Sequence, residues 1–211
     1  MLDGINYYPK RKKRLKLKLF LLLLLILIFL GIWYYFKDVE IGGTRSTSII
    51  ISEPDNGIYD ALNKGIEVAT GDVIAILHSD NKFCSNHVVS DMMQKMLDTK
   101  AEFCFSDMVI VDNKSNKVLR YYMANYFRRW MFRMGWMPPH PTCFIKRSLF
   151  DEFGLYPVKY KVAGDFDFLV RMFYGRDIKW AYLNRITVKM RQGGKSNSGW
   201  KSKKIIADEI S

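Results

Sequence analysis

Three short stretches hold carboxylates where they could do chemistry: Ser52-Glu53-Pro54-Asp55-Asn56-Gly57, His78-Ser79-Asp80-Asn81 and Gly164-Asp165-Phe166-Asp167. Each sits at the edge of an apolar run rather than inside one. An acidic residue just after a buried strand can hold a divalent cation on a diphosphate. The same residue there also makes an Asx turn or a helix N-cap, and spacing alone favours that. Asp165 precedes the helical run Phe168–Phe173. A carboxylate at that place either caps the helix or serves as a general base. Residue types alone leave both readings open.

The surrounding pattern predicts the elements that position these loops. Ile49–Ile51 reads as a short strand and Ser52–Gly57 as a turn. Ile58, Leu62, Ile66 and Ala69 recur at helical spacing, which predicts a helix over 58–69 ended by Gly71. Val73–Leu77 is a continuous apolar run, as in a strand buried on both faces of a parallel sheet. Val88, Val89, Met92, Met93, Met96 and Leu97 predict a second helix with a core-facing stripe. Phe103–Val111 and Val118–Tyr122 read as strands joined by the turn Asp112–Asn116. Alternating strands and helices argue for an α/β layered domain. In such sheets ligands bind beyond the C-terminal strand ends.

From Ala124 to Met137 aromatics interleave with arginines. Such a segment binds single-stranded nucleic acid, packs on a core or rests on a membrane surface. The formal charge of +12 fits either a nucleic-acid or a membrane partner. Roughly half of it lies in Lys10–Lys18, so the body is only mildly basic and no nucleic-acid partner is expected. Cys84, Cys104 and Cys143 are scattered without CxxC spacing, which argues against a zinc site or a disulfide framework.

Residues 19–36 carry no charge. With Leu15 and Leu17 the stretch approaches the ~20 residues that cross a bilayer. Trp33, Tyr34 and Tyr35 at its end resemble an interfacial belt, and Trp-Tyr-Tyr-Phe is a poor cleavage site. The expectation is a single-pass membrane protein with a basic tail (1–18), a transmembrane helix (19–36), a linker (37–48) and a domain (49–211). The basic cluster keeps the N-terminus cytoplasmic, and the charge bias favours the translocated side for the domain.

Four motifs in order carry a family resemblance. Ser52–Gly65 reads Ser-Glu-Pro-Asp-Asn-Gly-Ile-Tyr-Asp-Ala-Leu-Asn-Lys-Gly. Gly71-Asp72 and an apolar strand then lead to Ser79-Asp80-Asn81. His140-Pro141-Thr142-Cys143-Phe144 and Asp165-Phe166-Asp167-Phe168-Leu169-Val170-Arg171 follow. This set closely resembles family 2 glycosyltransferases, over Ser52 to about Asn197.

The resemblance implies a GT-A type, Rossmann-like mixed sheet with flanking helices. It implies transfer of a sugar from a nucleotide-sugar donor to a saccharide or lipid-linked acceptor hydroxyl, with inversion. Glu53, Asp55, Gly57, Asp60, Asn63 and Lys64 would border the donor. Asp80 and Asn81 would hold a divalent metal, Mn²⁺ or Mg²⁺. Asp165 would be the catalytic base, with Asp167 the alternative, and His140 and Arg171 would serve the acceptor or leaving group.

Two departures stand out. The metal motif ends in Asn81 where the family has Asp, which removes a charge and weakens metal affinity. The family's first βα unit has no counterpart between the apolar stretch and Ser52. These departures imply the alternative of a catalytically degenerate, membrane-anchored relative, a partner protein or a truncated product.

Overall fold

In the computed structural model the described residues are 48–192 and Glu209. The chain divides into two compact units, Met1–Ile50 and Ile51–Ser211. The expected tail, membrane helix and nearly all of the linker lie outside the described residues. Among the described residues no helix is long and apolar enough to cross a membrane. That finding overturns the single-pass localisation read from the sequence.

The first helix, α1 (Ile58–Val68), starts after Gly57, whose φ of 138° suits glycine. It buries Tyr59, Asn63 and Ile66. Strand β1 (Val73–Ala75) is shorter than its apolar run, because Leu77 turns outward to solvent. β2 (Asn81–Phe83) follows. Helix α2 (Val88–Thr99) buries only Val88, Met92 and Met96, a narrower stripe than predicted. Val89 and Leu97 are exposed. Lys100 closes α2 in the left-handed region (φ 53°), its N–H bonding the carbonyls of Leu97 and Met96.

All nine residues of β3 (Phe103–Val111) are buried. A turn leads to β4 (Val118–Tyr122). The aromatic and basic segment forms a 3₁₀ turn, Arg129–Met134, rather than a long amphipathic helix. A second 3₁₀ turn (His140–Thr142), β5 (Phe144–Lys146), α3 (Arg147–Phe153), α4 (Gly164–Gly175) and β6 (Trp180–Arg191) complete the unit. Ile49–Ile51, predicted as a strand, is not regular.

The sheet runs β1-β5-β3-β6-β2, with β4 also paired to β3. β3 and β6 are parallel; the other pairs are antiparallel. The expected mixed α/β sheet with flanking helices is therefore present, although the run at 73–77 joins it antiparallel. β3 feeds two cores because its side chains alternate. Phe103 and Phe105 enter a cluster with residues of α1, α3 and α4, including Tyr59, Phe150 and Phe168. Cys104 enters the opposite cluster with Val88, Met92 and Met96 of α2. In the larger cluster Phe103 and Phe127 meet Phe173 edge-on, and Phe150 stacks on Phe168 at 4.5 Å.

Candidate active site

A cleft of about 1120 Å³ opens at the C-terminal ends of the parallel pair, where Met108 and Ile110 of β3 and Met190 and Arg191 of β6 reach its wall. Tyr59, His78, Asp80, His140 and Asp165 also line it. Three of the sequence-predicted site residues, Asp80, His140 and Asp165, are thus brought together.

Asp165 sits in the first turn of α4. Its Oδ1 accepts from the Phe166 N–H at 2.9 Å and from the Tyr59 hydroxyl at 3.1 Å. That hydroxyl's one proton is shared with the Val162 carbonyl, the nearer acceptor. Gly164 makes this approach possible: a Cβ there would meet the Tyr59 ring at 2.8–2.9 Å. Burial, then the Asp165 charge, pushes the Tyr59 hydroxyl far above its ordinary range. It stays protonated and so remains a donor. Sequence reasoning did not single out Tyr59. Its spacing gave no signal, since the carboxylate it meets lies 106 residues along the chain.

His140 is buried, with Nε2 2.9 Å from the Tyr156 hydroxyl. Its ring lies 6.3 Å from that of His78. The His-Pro-Thr turn that carries it is tied to the sheet by Thr142, whose Oγ1 lies 3.0 Å from the Ser106 carbonyl and 2.8 Å from that of Pro139. Burial lowers the His140 imidazole below its ordinary 6.5, although Asp165 pulls the other way. At neutral pH the ring carries no charge.

The remaining predicted residues do other work. Asn63 is buried, and its amide donates to the Tyr156 carbonyl at 2.8 Å and accepts from the Tyr156 N–H at 3.0 Å. It ties α1 to the segment before α4. Lys64 is held by Glu53 (2.8 Å) and Asp55 (2.9 Å), with Asp60 at 3.6 Å. None of these five residues, nor Gly57, lines the cleft. The same helix reaches the cleft wall with Ile58, Tyr59, Ala61 and Leu62 instead.

Arg171 also lies outside the cleft lining. Its Nε donates to Asp167 Oδ2 at 2.7 Å, and its other nitrogens donate to the carbonyls of Phe153 and Leu155 (2.8 Å for the latter). The guanidinium clamps α4 to the end of α3. Asp167 is paired with Arg171 and does not line the cleft. A further anchor was invisible in the sequence. The Glu209 carboxylate accepts from the N–H groups of Lys161, Val162 and Ala163 at 2.7–3.1 Å.

The fit of a divalent metal was tested on the donor set. Among the described residues no three His, Cys, Asp or Glu side chains converge. The Asn81 amide is buried with neither polar atom partnered, and it is absent from the lining. Asp80 alone represents the predicted pair in the cleft. One carboxylate suits an ion that takes most of its oxygens from substrate phosphates and water, as Mg²⁺ does.

Known proteins bear on this arrangement in three ways. Residues 44–154, more than half of the chain, match the family model for glycosyl transferase family 2. The match ends before Asp165. The "PGL/p-HBAD biosynthesis glycosyltransferase" of Mycobacterium bovis and Mycobacterium tuberculosis is 28% identical over 154 residues, covering 71% of this chain and 57% of that one. An uncharacterized glycosyltransferase of M. tuberculosis is 29% identical over 128 residues, covering 57% of this chain and 45% of its own. The chain thus spans 57% or less of the length of these relatives. Among solved structures, S. aureus TarS 1-349 in complex with UDP-GlcNAc superposes with a TM-score of 0.56 at 15% identity, over 75% of this chain and 48% of that one. At that identity the likeness speaks for the fold alone, and the fold is GT-A-like. Sheet, motif order and family match agree: the chain belongs to glycosyl transferase family 2.

Proposed function

We propose that the chain transfers a sugar from a nucleotide-sugar donor to an acceptor hydroxyl, with Asp165 as the general base. The observation that carries this reading is the pairing of Asp165 with Tyr59 inside the cleft. The carboxylate oxygen Oδ1 is held by the Phe166 N–H and by a hydroxyl proton that it shares with the Val162 carbonyl. The other, Oδ2, takes no hydrogen bond among the described residues, so it can accept a proton. A base so held removes the hydroxyl proton as the acceptor oxygen attacks the sugar carbon from the side opposite the nucleotide, which inverts that carbon.

Asp80 would hold a divalent cation on the donor diphosphate, where the ion would offset the charge developing on the leaving group. His140, kept neutral, offers the site shape and hydrogen bonding without adding charge. The TarS neighbour binds UDP-GlcNAc, so UDP sugars are the first donors to try, with saccharide or lipid-linked acceptors.

The test is nucleotide release by the full chain with UDP and GDP sugars and Mn²⁺ or Mg²⁺, comparing wild type with Asp165→Asn. Loss of a general base should cost about 10²–10⁴-fold in kcat. An Asp165→Asn variant as fast as wild type removes Asp165 from the mechanism. A second reading, a catalytically silent relative, is favoured by the unpartnered, buried Asn81 amide. A cooperatively folded chain that neither binds nor turns over any donor would support that reading instead.

A further inference from the structure

The segment Tyr126–Met134 is held from beneath and unmatched above. Phe127 (0% exposed) and Phe132 (4%) are sunk in the main core. Between and beside them Tyr126 (47%), Trp130 (55%) and Met134 (74%) project to solvent. Arg128, Arg129 and Arg133 are exposed with them. The two buried rings fix the knuckle, so the outward set is presented on a rigid base. Gly135, at φ 69°, ends the 3₁₀ turn.

Two features give this surface a charge preference. No Asp or Glu occurs between Asp112 and Asp151. Among the described residues none of the three arginines meets a carboxylate. Arg129 instead lies over the Tyr174 ring at 4.8 Å, and Arg128 donates to the Phe127 carbonyl. Exposed Trp, Tyr and Met among unpaired arginines is the chemistry of an anionic lipid interface: rings and thioether at the headgroup boundary, guanidiniums on phosphates.

We propose that the Tyr126–Met134 knuckle docks the domain peripherally on an anionic lipid surface. The chain runs directly from it into Gly135, Met137, Pro138 and Pro139, which line the cleft. Docking therefore sets that wall of the cleft a few residues from the headgroups, where a lipid-linked acceptor would present its hydroxyl. The proposal needs no particular catalytic base, and it stands or falls apart from Asp165.

The basic residues of 10–18 can hold the chain on such a surface by themselves, so sedimentation alone does not decide. Local amide hydrogen exchange of the full chain does. On phosphatidylglycerol-containing vesicles, amides of residues 128–134 should slow at least about fivefold, the worth of one arginine at the interface. Those of α2 should not change. Phosphatidylcholine vesicles should give no slowing. Arg128→Gln/Arg129→Gln/Arg133→Gln, and separately Trp130→Ser, should lose the protection while β3 keeps its own, which shows that the fold is intact. Unchanged exchange at 128–134 on bound vesicles overturns the proposal, as does failure to bind them. Slowing by a single-stranded oligonucleotide and not by vesicles overturns it in favour of nucleic acid.

Discussion

His140 shows how much a single side chain's surroundings decide. The ring is buried, and burial outweighs the attraction of Asp165, so the folded chain resists protonating it. The unfolded chain takes up that proton near 6.5. The folded pKa is the lower one, so below 6.5 the unfolded state binds more protons than the folded state. The contribution to stability is therefore complete above that pH and declines as pH falls through the window beneath it, with a slope of up to about 1.4 kcal/mol per pH unit. His140→Gln should remove this slope. Urea unfolding at about pH 7 and about pH 5 measures the difference. A variant with the same decline as wild type would locate it in other groups. At this scale the sequence was half legible. His140, Asp80 and Asp165, singled out by their place in motifs, line one cleft. Tyr59 was passed over because its hydroxyl acts across 106 residues of chain. Asn63, Lys64 and Arg171 come from the same motifs and bond here to backbone and carboxylates, because a motif reports that a residue is needed, not whether it touches ligand or backbone.

At the scale of elements, α1 and α4 cross where Gly164 faces the Tyr59 ring. Gly164→Ala would put a methyl against buried aromatic carbons at 2.8–2.9 Å. Overpacking of this kind costs about 1–3 kcal/mol. The ring can relieve it only by carrying its hydroxyl away from Asp165. Activity at a temperature where the variant is folded should therefore fall, by about tenfold, with donor KM little changed. Unaltered kcat in a destabilised variant would mean that the crossing serves stability alone. Helices α1 and α2 were legible from their helical period, and strands β3 and β4 from β-prone runs on either side of the turn at Asp112–Asn116. β6 was not, since a register shift against Ser106–Met108 breaks its alternation and leaves Asn184 and Arg185 exposed mid-strand. The three-residue strand β2 is too short to show a period at all. The stripe of α2 was read too wide: Val88, Met92 and Met96 are buried and Met93 packs partly against them, while Val89 and Leu97 face solvent.

Across the whole molecule the sheet separates two layers that should answer a ligand differently. α1, α4 and the loops at 78–80 and 135–140 share the cleft side, while α2 packs on the opposite face. A nucleotide sugar bound in the cleft at a hundred times its dissociation constant stabilises the folded state by about 2.7 kcal/mol. For a unit of this size that corresponds to a rise of roughly 5–10 °C in Tm. The rise should require Mn²⁺ or Mg²⁺ if Asp80 shares the ion with the diphosphate, and Asp80→Asn should abolish it at the same concentrations. Hydrogen exchange can place the effect. Amides from 161 to 167 lie in the segment pinned by Tyr59 and Glu209, and they should slow on binding. Amides of α2 open only with the global transition or by local fraying that the ligand does not touch, so their fast-exchanging fraction should stay as it was. Protection confined to α2, or a rise in Tm without slowing at 161–167, would put the nucleotide somewhere other than this cleft.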